Sequence, residues 1–193
     1  RQVQRWLRAV CPPTVRLEMV AQTCPDAKGA NVIAEWRGRE KPEEIVVLGG
    51  HFDSWDAGQG AHDDGAACVA AWTAVKLMKD LNLRARRTVR VVLWANEENG
   101  LRGGRAYREW VGDRVKNHVA AIEMDGGCEK PSGFGLTIQN AAPGVQDRGL
   151  DMLKQIAAPL ASIQANEIVA GGGGADIGPI MREGVPGLAL RTT

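Results

Sequence analysis

Three apolar runs constrain this chain most, because each ends in side chains able to hold a metal ion. Ile45-Val46-Val47-Leu48 leads into His51-Phe52-Asp53-Ser54-Trp55-Asp56-Ala57-Gly58-Gln59-Gly60-Ala61-His62-Asp63-Asp64-Gly65. Thr88 to Ala95 leads into Asn96-Glu97-Glu98, and His118 to Ile122 leads into Glu123-Met124-Asp125. Runs of this length and composition predict buried strands. In open α/β sheets, ligands bind outside the carboxyl ends of the strands. A cation needs deprotonated oxygen and imidazole donors converging from rigid support, and this pattern supplies both.

The spacing assigns roles. Strand side chains two apart face the same way, so His51 can offer one ring nitrogen to a metal while Asp53 accepts a hydrogen bond from the other. Adjacent Asp63 and Asp64 precede a helical pattern, where one serves the helix start. The other is left beside like charge unless a cation is present, and Asp63 is the favoured bridge. In Glu97-Glu98 one carboxylate binds metal. Its neighbour acts as a general base toward a water the cation has acidified. Asp125 is the third oxygen donor, with Glu123 as its rival. His62 and His118 are read as non-ligands; His62 precedes the bridging position and lines the site, and His118 starts a strand.

Elsewhere the pattern predicts alternating strands and helices. A short helix is expected over residues 1–13, and strands over 14–21, 31–36 and 44–50, the last two as an antiparallel hairpin. Helices follow near 65–81, 101–111 and 143–158, with further strands at 88–95, 118–124, 135–139 and 187–190. Asp176 is expected to cap a short helix over 177–182. The sum is an α/β fold: a three-layer α/β/α sandwich around a mixed, mainly parallel sheet, with 1–193 as a single catalytic domain.

Composition excludes other classes. With 24 basic and 23 acidic side chains the net charge is +1, which gives no electrostatic case for nucleic acid. No apolar run approaches the roughly 20 residues of a membrane span. No Gly-x-Ser-x-Gly elbow is present, and the Gly171–Gly174 run lacks the Gly-Lys-Ser/Thr of a phosphate loop. The four cysteines form no Cys-x-x-Cys pair; Cys11 and Cys24 flank an expected strand and are candidates for a disulfide.

Taken together, HFDSWDAGQGAHDDG, ANEENG, EMDGG, GGGGADI and GVPGLAL resemble the co-catalytic di-zinc exopeptidases, most of all the plasma glutamate carboxypeptidase branch, over residues 14–193. The resemblance implies a phosphorylase/hydrolase-like fold and two zinc ions. His51 and Asp125 would hold one, Asp63 would bridge, and Glu98 would hold the second. Glu97 would be general base and acid, Asp53 would orient His51, and the Asp63–Asp64 peptide would be cis. Specificity is expected from loops around Trp55, Gln139-Asn140 and Gly171–Asp176, with Gly174 and Asp176 as substrate-binding candidates.

The family's second zinc also uses a histidine beyond the last strand seen here, and none of the three histidines matches it. The resemblance therefore implies a fragment of a longer catalytic domain. A peptide or dipeptide substrate and an extracytoplasmic location follow from the resemblance alone; oligomeric state stays open. The rivals are a single-zinc glutaminyl-cyclase-like transferase and a catalytically inactive binding domain.

Overall fold

The computed structural model describes Thr14 and residues 16–193. Among them, seven strands form one sheet: β1 (Val32–Trp36), β2 (Lys41–His51), β3 (Arg87–Trp94), β4 (His118–Glu123), β5 (Pro131–Thr137), β6 (Glu167–Ala170) and β7 (Gly187–Thr192). Their order across the sheet is β1-β3-β2-β4-β7-β5-β6. The pairs β2–β3, β2–β4, β4–β7 and β5–β6 run parallel, while β1–β3 and β5–β7 are antiparallel.

The helices are α1 (Ala66–Asp80), α2 (Arg102–Val111), α3 (Val145–Ala157) and the single turn α4 (Gly178–Met181). Alternate residues of β2 serve the two faces, as the strand period requires. Ile45 and Val47 join Val92, Trp94, Tyr107, Val111, Ile177 and Ile180 in the buried core shared with α2 and α4. Leu48 lines a small cavity with Ala67, Ala70 and Ala71 of α1 on the opposite face. Helices therefore lie on both sides of a mainly parallel sheet, as the alternating pattern predicts.

Three expectations need correction. No strand forms among described residues 16–21; Leu17, Met19 and Val20 are exposed, because an alternating pattern without a partner strand has no ladder to join. The hairpin is also absent. β1 pairs with β3, since both edges of β2 are taken by β3 and β4. Asp176 does not cap α4: both its carboxylate oxygens lack a partner, and the turn begins from Ile177 without a side-chain cap. The short β6 carries no expectation in the sequence. The helix expected over 1–13, and with it Cys11, lies outside the described residues; Cys24, Cys68 and Cys128 are unbridged.

Candidate metal centre

The parallel register sets the height of every donor. His51 is level with Trp94, and Gly49 is level with Glu123. Two residues further on, β4 therefore delivers Asp125 beside His51. Three segments distant in sequence thus end at one point.

His51 is the hub. It is 1% exposed, and its Nδ1 donates to the Asp53 main-chain carbonyl at 3.0 Å. That bond assigns the proton to Nδ1 and leaves Nε2 as the nitrogen facing the carboxylates. Around Nε2 stand Asp63 Oδ1 at 3.1 Å, Asp125 Oδ1 at 3.7 Å and Glu97 Oε2 at 3.9 Å. Donor atoms of His51, Asp63 and Glu98 all lie within 4.8 Å of one another, as do those of His51, Asp64 and Asp125. The Asp63–Asp64 peptide is cis.

Asp53 does something the strand period alone does not reveal. Its carboxylate is 3.6 Å from His51 Nδ1, beyond a hydrogen bond. It instead accepts the main-chain N–H groups of Glu97 at 3.0 Å and Glu98 at 3.3 Å. Its carbonyl orients the imidazole, and its carboxylate fixes the loop carrying the glutamate pair.

The electrostatics favour positive charge at this point. Burial opposes protonation of His51, yet the Asp125 carboxylate, the Asp53 carbonyl and the charge of Asp64 push it up to about 10. Glu97 is raised, first by burial and then by Asp125, Glu98 and Asp53, with His51 opposing. Asp125 is lowered, chiefly by the His51 imidazole facing it at 3.7 Å, against the effect of burial. Burial pushes Asp64 up to about 7, and its Oδ2 accepts the His51 main-chain N–H at 3.1 Å.

Glu123, the rival of Asp125, is committed elsewhere. It is 2% exposed and accepts the N–H groups of Ala175 (2.8 Å), Asp176 (3.3 Å) and Ile177 (2.8 Å). Gly174 packs its α-carbon against this carboxylate; a Cβ there would fall 2.0 Å from the Glu123 Cδ. Asp176 is 1% exposed, and burial followed by the charges of Glu123 and Glu97 pushes it up to about 8. Gly174 and Asp176, the two substrate-side candidates, thus sit in a buried support against Glu123, and Asp176 offers no exposed carboxylate to a substrate. Sequence spacing missed the task of Glu123, whose only signal was a second acid two residues before Asp125. His118 is buried against Tyr107, while His62 is exposed at the rim.

The fold and site define an α/β protein whose mainly parallel sheet carries, at its carboxyl edge, a histidine–carboxylate cluster able to hold a metal ion. The chain belongs to peptidase family M28, whose profile matches residues 31–193. It is 38% identical over 177 residues to carboxypeptidase Q of Mus musculus, covering 92% of this chain and 36% of that protein. The chain thus spans little more than a third of that relative's length. Among solved structures, a peptidase M28 precursor from Shewanella amazonensis SB2B superposes with a TM-score of 0.71 at 37% identity, over 84% of this chain and 35% of that one. BSAP, a zinc aminopeptidase from Bacillus subtilis, shares the fold with a TM-score of 0.65 at 18% identity, over 83% and 39% of the two chains.

Proposed function

We propose that this chain carries the catalytic centre of a zinc-dependent exopeptidase that hydrolyses a terminal peptide bond of a peptide or dipeptide. The observation that carries the reading is the convergence of Asp63, Glu97 and Asp125 on the one free nitrogen of His51. Membership of a peptidase family supports it, as do the names of the relatives. Carboxylates gathered this closely repel one another unless a cation shares the space. The donor set, imidazole nitrogen and carboxylate oxygen without sulfur, suits zinc.

His51 and Asp125 would hold one ion, Asp63 would bridge, and Glu98 would serve a second. Zinc there would supply Lewis acidity to a water and to the scissile carbonyl. The protein's own part falls to Glu97. Its raised proton affinity suits a group that takes a proton from the attacking water and returns it to the leaving amine. Asp53 holds Glu97 and Glu98 in place through their main chain.

We place the enzyme outside the cytoplasm by family resemblance. No described helix is long and apolar enough to cross a membrane.

The decisive experiment replaces Glu97 with Gln. Loss of the general base costs about 10²–10⁴-fold in kcat, with zinc content unchanged. A near-native rate would overturn the assignment. Product analysis on peptides with an N-terminal glutamine separates hydrolysis from cyclisation, and no turnover by the wild-type chain with zinc bound would favour an inactive binding domain.

A further inference from the structure

Beside the centre lies a second group of ligating side chains that the peptidase reading leaves unused. Cys128 is an exposed free thiol three residues after Asp125, and its Sγ lies 3.8 Å from Nδ1 of His62, the neighbour of Asp63. The other nitrogen of that ring, Nε2, faces Glu129 Oε1 at 3.7 Å. The imidazole lies close over Gly127, where a Cβ would come within 2.3 Å of Cε1 and 2.4 Å of Nε2. Glycine at 127 therefore lets the ring sit where it does.

We propose that Cys128 and His62 form a separate site for one thiophilic divalent cation, zinc or cadmium, at the rim of the centre. The geometry suits a metal. Zinc–sulfur and zinc–nitrogen bonds of about 2.3 and 2.0–2.1 Å, meeting at a tetrahedral angle, put the two donor atoms roughly 3.6 Å apart. The Glu129 carboxylate, 3.7 Å from the far ring nitrogen and beyond a hydrogen bond, adds negative charge behind the imidazole. The cation displaces the thiol proton to solvent, and a sulfur–metal bond forms in its place. Water completes the coordination, so the site is a modulatory one that fills when metal is abundant.

Sulfur sets this site apart from its neighbour. His51, Asp63, Glu98 and Asp125 offer nitrogen and oxygen alone, whereas thiolate selects the softer metal. Occupancy ties the segment carrying Asp63 to the segment carrying Asp125. Excess zinc or cadmium would then fix both relative to each other.

The test reads thiol chemistry, so its outcome is separable from that of the peptidase reading. The zinc-loaded 193-residue chain is titrated with cadmium, and each cysteine's alkylation rate is mapped by mass spectrometry. Cadmium should protect Cys128 while Cys24 reacts as before, and a thiolate-to-metal charge-transfer band should appear that Cys128→Ser abolishes. His62→Ala should raise the cadmium concentration needed for protection at least tenfold. Glu129→Gln, an exposed change, should weaken it severalfold at low ionic strength by removing the negative charge 3.7 Å from the ring. Protection indifferent to both His62→Ala and Glu129→Gln would mean a bare thiol binding metal, and would overturn the site. So would equal protection of Cys24. The same protection of Cys128 in an Asp63→Ala chain would show that the rim site is independent of the centre; its loss there would overturn that separation.

Discussion

Asp53 holds Glu97 by its backbone, its carboxylate accepting the Glu97 N–H at 3.0 Å while also reaching the N–H of Glu98. The aspartate follows β2 and the glutamates follow β3, so the contact locks two strand ends together. Replacing Asp53 with Ala removes the acceptor of two donors and frees the loop that bears Glu97, the proposed general base. We expect about a 10–100-fold fall in kcat, with KM changed much less. Steady-state kinetics with zinc analysis provide the check, and an unchanged kcat would show that the loop holds its own conformation.

Gly174 should tolerate no side chain. A Cβ would fall 2.0 Å from Glu123 Cδ and 2.2 Å from its Oε2, and Glu123 is buried with three N–H groups on its carboxylate. Gly174→Ala should cost about 1–3 kcal/mol of stability, the range for forcing volume into a packed interior. Urea unfolding measures it. A midpoint equal to wild type would mean that the Glu123 side chain can move aside.

His118 predicts a pH dependence with a definite sign. Tyr107 Oη lies 2.8 Å from its Nε2, while Nδ1 faces the carbonyls of Arg114 and Val115 at 3.2 Å. Arg90 donates to the same Tyr107 oxygen at 2.7 Å, so the tyrosine hydrogen points at the imidazole. Burial, with the charges of Arg90 and Arg114, lowers the proton affinity of His118 below the usual histidine value. Its folded pKa therefore lies below its unfolded one. The unfolded chain takes the proton first, and stability drains away as pH falls through the unfolded value near 6.5. The midpoint of unfolding should drop from pH 7 to pH 5 more steeply in the wild type than in His118→Gln. Parallel curves would remove His118 as the source.

The arrangement of the site was legible in the sequence where the chemistry rests on period and type. Apolar runs ending in His51, Glu97-Glu98 and Asp125 do form neighbouring strands and do converge. What stayed hidden depends on which strand lies beside which. The alternation at 16–21 is as regular as that of a real strand, yet nothing pairs with it. β1 looked like the partner of β2 by proximity along the chain and joins β3 instead. Asp53 and Glu123 carry acids at the spacing of ligands, but both carboxylates are taken by backbone N–H groups contributed from distant segments. No local pattern encodes such a partner. The expected cap by Asp176 fails for a different reason: an N-cap there would serve the N–H groups of residues 178 and 179, and Pro179 has none.

The shared height of β2, β3 and β4 has a consequence for how this molecule can change. A one-residue shift in a strand reverses which face each side chain occupies. One residue inserted between Val47 and Leu48 would send His51 to the opposite side of the sheet, while Glu97 and Asp125 stayed put. The same insertion among Asp56–Gln59, outside the ladder, leaves every rung in place. The loop after β2 can therefore change length while the centre keeps its shape, whereas the residue count of the three central strands is fixed.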